Sequence, residues 1–181
     1  MPRALLRRPS TSPVRIKLAR AMDYLWTPWR YGYVTETGRM DRCVFCDAAQ
    51  ASDDKEALVV HRARRNFVIL NRYPYTIGHL MVVPYEHMPN LAGLADETLA
   101  ELILLARDCE KRLTALYRPE GLNFGVNIGR SAGAGVADHF HLHALPRWAG
   151  DTNFITVAGE TRVLPEDLAA TWERVSAAFR G

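Results

Sequence analysis

The run His139-Phe140-His141-Leu142-His143 alternates imidazole and apolar side chains with a period of two. Successive side chains of a strand point to opposite faces. The pattern therefore predicts a strand from Asp138 to Leu145, closed by Pro146. Its three imidazoles would share one face, with Phe140, Leu142 and Ala144 packed into a core on the other. Half of the chain's six histidines fall in these five residues. A merely polar strand face seldom uses one residue type so heavily.

Three imidazoles in a row suit two chemistries. One is metal ligation. The other is covalent catalysis, since a neutral imidazole can attack phosphorus near pH 7 and later leave again. The preceding stretch, Gly129-Arg130-Ser131-Ala132-Gly133-Ala134-Gly135-Val136, favours the second. Its backbone N–H groups are unobstructed by bulky side chains, and Arg130 and Ser131 add polar groups. Such a loop can cradle phosphate oxygens, and phosphoryl chemistry depends on positioning and charge stabilisation.

Asn66 to Asn71 and Gly78 to Pro84 read as strands of an antiparallel hairpin, with Arg72-Tyr73-Pro74 in the loop between them. Ala95 to Tyr117 is the clearest helix. Asp96 is placed to cap it, and Leu99, Leu102, Ile103, Ala106, Cys109, Leu113 and Leu116 form one apolar stripe. Pro119 stops it. Asn123 to Ile128 reads as a third strand and Pro165 to Phe179 as a C-terminal amphipathic helix. The expected class is α+β: a mainly antiparallel sheet of about five strands, a long helix packed on one side, and the C-terminal helix.

His139-Phe140-His141-Leu142-His143-Ala144-Leu145-Pro146-Arg147 resembles the signature of the histidine triad (HIT) superfamily. The hairpin, long helix and glycine loop follow the same order, over roughly residues 43–160. Trp26-x-x-Trp29 and Pro146 to Phe154 look most like the branch of bacterial diadenosine tetraphosphate phosphorylases and fragile-histidine-triad hydrolases. That resemblance implies cleavage of dinucleoside polyphosphates through a covalent nucleotidyl intermediate on His141, with His143 contacting the phosphate and bridging oxygen. It places Asn71 and His79 beside the phosphate. Asn127, Arg130, Ser131, Gly135 and Val136 fall in the phosphate loop. Some phosphorylases carry a serine near the end of that loop, where Gly135-Val136 stands here, so the second acceptor is left as phosphate or water. A nucleoside phosphoramidase or nucleotidyl transferase would use the same site, and a zinc-bearing nucleotide-binding module is the non-enzymatic alternative.

Cys43-x-x-Cys46 has the spacing of half a zinc site, with a disulfide or plain burial as the competing readings. The resemblance tips the balance. Other branches bind a structural zinc with such a pair, a histidine after the second hairpin strand and the first triad histidine, here His87 and His139. His139 would then be a ligand. No cofactor is expected for the chemical step. The resemblance also implies a homodimer with sheets joined edge to edge. His61 fits no pattern and reads as a surface residue.

Charge locates the partners. The net charge is +3, yet Arg3, Arg7, Arg8, Arg15, Lys17 and Arg20 stand before Met22 with no acid among them. Setting those six aside from 23 basic residues leaves 17 against 20 acidic ones, a balance of −3 from Met22 on. Residues 1–21 are expected to be a disordered, solvated extension and 22–181 a single domain. No nucleic-acid partner is expected beyond the nucleotide substrate. No apolar run approaches the roughly 18 residues that span a membrane. Three cysteines are too few for a disulfide scaffold, which fits a reducing, cytoplasmic setting.

Overall fold

Leu80-Met81-Val82-Val83-Pro84 is an unbroken apolar run, the pattern of a strand covered on both faces. In the computed structural model, which describes residues 42–151 and 164–181, it forms the middle of a five-stranded sheet. The strands are β1 (Val59–Arg62), β2 (Asn66–Leu70), β3 (Leu80–Pro84), β4 (Gly121–Val126) and β5 (Leu142–Arg147). Their order is β1-β2-β3-β5-β4, and every neighbouring pair is antiparallel. The helices are α1 (Val44–Gln50), α2 (Asp96–Tyr117) and α3 (Leu168–Arg180). The basic stretch 1–21, the Trp26-x-x-Trp29 segment and residues 152–163 lie outside the described residues.

Register divides the sheet into two faces. Val68 pairs with Val82 and Val82 with Leu142, while Leu70 pairs with Leu80 and Leu80 with Ala144. This row lies under α2, where the Asn66 side chain donates to the Thr98 carbonyl at 3.1 Å. On the opposite face Ile69 pairs with Met81 and Met81 with His143. One residue of slip in any ladder would exchange these faces, so the apolar run of β3 is what aims His143 away from the helix.

β5 begins at Leu142, four residues later than the alternation suggests, because its ladders with β3 and β4 both end there, at Val82–Leu142 and Val126–Leu142. The segment before it is held singly: Phe140 N donates to Met88 O at 2.6 Å. Pro146 lies within β5 instead of closing it. The last β3 pair is Leu80–Ala144, so the missing N–H of Pro146 falls where no ladder bond is lost. β4 likewise starts two residues earlier than read. β1 escaped the sequence reading because it has four residues, a register shift between Val59 and His61, and polar residues at its end.

Asp96 does not cap α2. It is the first helical residue, with Ala95 at the cap, and it and Glu97 meet the positive end of the helix dipole. Ile103 leaves the stripe at 63% exposure, and Leu105 takes a buried place instead. The helix ends at Tyr117, with Arg118 left-handed before Pro119. Asp167 caps α3 by accepting from Ala170 N at 2.8 Å. His61 is half-buried, stacked on Phe179 of that helix at 5.1 Å between ring centroids.

Candidate active site

The row Ile69–Met81–His143 forms the floor of a cavity of about 610 Å³. α1 supplies one wall through Phe45 and Ala48, the end of β2 supplies Asn71 and Arg72, and the glycine loop supplies Gly133, Gly135 and Val136. Asn127 and His141 complete the wall beside His143. Arg130 and Ser131 sit apart, in an exposed 3-10 turn that does not line the cavity.

The hydrogen bonds of the histidines settle their tautomers. Carbonyl oxygens only accept, so His141 Nδ1–H donates to His139 O at 2.9 Å. A neutral His141 then carries its lone pair on Nε2, on a ring that borders the cavity. Burial lowers its pKa and so favours the neutral, nucleophilic form, while that backbone bond acts the other way.

His79 stands behind His143, fully buried. Tyr75 N–H donates to His79 Nδ1 at 3.2 Å, so His79 carries its proton on Nε2. That proton is donated to His143 Nδ1 at 2.9 Å. His143 is thereby held with its own proton on Nε2, able to donate into the cavity. Burial, then the neighbouring histidine charges, lower the pKa of His79 to about 3 and of His143 to about 4. The pair remains neutral at physiological pH. The Asn71 amide nitrogen lies 3.5 Å from His79 Nε2, but both groups are donors. Tyr73 N–H donates to Asn71 Oδ1 at 2.9 Å, which fixes the amide so that its NH₂ is not the acceptor end.

His139 does not join the other two. Its Nε2–H donates to Pro84 O at 2.9 Å, which leaves Nδ1 as the unprotonated nitrogen. That nitrogen lies 3.3 Å from Cys43 Sγ and 3.7 Å from Cys46 Sγ, and Cys46 Sγ lies 3.2 Å from His87 Nδ1. All four donor atoms fall within 4.8 Å of one another. Tetrahedral coordination with bonds of ~2.3 Å to sulfur and ~2.0 Å to nitrogen separates such donors by about 3.5 Å. The set therefore fits a metal ion. Burial, then Cys43 beside it, push the Cys46 thiol up to about 11, so a thiolate at Cys46 would call for a cation beside it. The three cysteines are free.

Phe45 joins the two centres and was not singled out from sequence. Its ring lies 5.4 Å from that of His139 and 4.9 Å from that of His141, centroid to centroid. The signal was its place between Cys43 and Cys46: once both cysteines point one way, the residue between them on α1 faces the cavity. Arg72 and Tyr75, in the loop between β2 and β3, line the cavity too, with no sequence pattern to mark them.

The HIT domain family profile matches residues 52–150. The AP-4-A phosphorylase of Mycobacterium tuberculosis is 41% identical over 158 residues, 83% of this chain and 80% of that protein. The chain belongs to the HIT family. Among solved structures, a Zn-bound histidine triad family protein from Mycobacterium smegmatis matches with a TM-score of 0.60 and 26% identity, over 76% of this chain and 93% of that one. A histidine triad nucleotide-binding protein from Sulfolobus tokodaii matches with a TM-score of 0.60 and 28% identity, over 76% and 92%. The α+β architecture of this HIT protein is thus that of its relatives. Among the described residues no helix is long and apolar enough to cross a membrane.

Proposed function

We propose that this protein cleaves dinucleoside polyphosphates of the diadenosine tetraphosphate kind. His141 Nε2 attacks the phosphorus nearest one nucleoside. The P–O bond to the rest of the chain breaks, and a nucleotidyl-imidazole forms. His143 Nε2–H donates to the bridging oxygen as it departs. Phosphate or water then attacks the same phosphorus and frees His141. The observation that carries this reading is the His141 Nδ1–H bond to His139 O, which presents the other ring nitrogen as a nucleophile beside a neutral donor. The likeness to the M. tuberculosis phosphorylase supports the choice of substrate.

The test is chromatography of the products from diadenosine tetraphosphate, with and without added phosphate. ADP plus ATP appearing only with phosphate means phosphorolysis, and AMP plus ATP without it means hydrolysis. No consumption under either condition sinks the reading. Faster turnover of adenosine phosphoramidate would move the chain to the phosphoramidase class.

Cys43, Cys46, His87 and His139 would hold a structural zinc: two thiolates and two imidazoles, with no position left for substrate. Its role is to fix the segment that carries His141. The free thiols suit a reducing, cytoplasmic setting.

β4 is an edge strand with Phe124 and Val126 exposed on the α2 side of the sheet, next to Ile128. Ile103 and Leu104 of α2 are exposed as well. An apolar edge of this kind needs cover. It supports a homodimer formed across β4 and α2, for which sedimentation equilibrium should give twice the 20.4 kDa chain mass. A monomer at micromolar concentration would refute it.

A further inference from the structure

The cavity wall is unevenly charged. Its α1 and β1 side carries Asp47, Asp53 and Glu56. Asp47 is paired with Arg42 at 3.1 Å, and Asp53 Oδ1 accepts from the Lys55 and Glu56 amides. A polyphosphate laid along that side would meet like charge, whereas ribose hydroxyls and base amino groups would meet acceptors. The end of β2 carries Arg72, the one cationic side chain in the cavity wall among the described residues. Arg72 is exposed and, among the described residues, has no carboxylate within ion-pair distance. It directly follows Asn71, and both residues line the same cavity as His141 and His143.

We infer that Arg72 is a specificity-determining residue that binds the departing polyphosphate, so that this cavity selects substrates with a charged chain beyond the attacked phosphorus. The inference rests on the dinucleoside polyphosphate reading. When His141 attacks, the leaving group gains a negative charge on its terminal oxygen. His143 can donate to only one oxygen there. A guanidinium offers a fork of donors to the phosphates beyond it and remains charged at every relevant pH. Nothing else on the described wall supplies positive charge to those phosphates, since Arg130 lies outside the cavity.

The test compares kcat/KM for diadenosine tetraphosphate with that for the p-nitrophenyl ester of AMP, whose leaving group contains no phosphate. Both present the same phosphorus to His141. In R72A the ratio of tetraphosphate to ester should fall about 10- to 100-fold, the worth of a charge-assisted contact to phosphate. R72K should recover part of it, retaining charge without the fork. An unchanged ratio in R72A overturns the inference, whether both activities persist or both fall together, as a merely structural arginine would require. Failure of the unaltered protein to cleave the tetraphosphate while cleaving the ester overturns the substrate reading, and the role of Arg72 with it.

Discussion

His141→Asn should lower turnover of diadenosine tetraphosphate by about 10,000-fold or more, the scale seen when a covalent nucleophile is removed, while the protein stays folded. Asparagine retains an N–H that can reach His139 O, so the donor now satisfied at 2.9 Å need not be orphaned. The lost ring packs on Phe45 and His143, each 4.9 Å away between centroids. Its removal leaves a small cavity, costing about 1–2 kcal/mol. Thermal unfolding should therefore shift by a few degrees only. Intact mass measured after an alkaline quench should show an added nucleotidyl group on the unaltered protein and none on the variant. Turnover within tenfold of the unaltered protein would refute the nucleophile.

Removal of metal should produce the largest change in stability. Protein purified without chelator should contain about one zinc per chain. Cys43→Ser with Cys46→Ser, or prolonged chelation, should lower the melting temperature by about 10–20 °C, corresponding to several kcal/mol for a domain of this size. Four residues from three separated parts of the chain meet there: α1, the turn after β3, and the segment before β5. Without the cation two cysteines and two imidazoles face one another with little to hold them. Activity should fall in step, because Phe45 and the His139 carbonyl both brace His141. Zinc well below one per chain, or an unchanged melting temperature after chelation, would show that the four groups are a packed cluster and not a metal centre.

The histidine run shows what could be seen in advance and what could not. Alternation placed a strand there, and the strand exists, but its start lies at Leu142. Spacing put three imidazoles on one face. His141 and His143 do share the cavity, while His139 turns to the cysteines. A period of two holds only while the ladder continues, and the ladders on both sides of β5 stop at Leu142. Similarly, the α2 stripe was legible at Leu102, Ala106, Cys109 and Leu113. Ile103 could not be excluded from it, since helical spacing alone does not say how wide a face its neighbours cover.

Hydrophobic period, the glycine loop and the spacing of cysteines and histidines are local properties of the chain. They were enough to anticipate the α+β class, the long helix and the residues with chemistry to offer. Proton positions were not among them. That His141 presents Nε2, that His79 stands behind His143 and holds its tautomer, and that Arg72 is the cation of the described wall depend on groups distant in the chain. Hydrogen bonds between such groups, and the charge that surrounds a cavity, exist only after the strands have paired. The candidate residues could thus be picked out from their order, while the tautomer of each imidazole was set by the partners that folding placed against its other nitrogen.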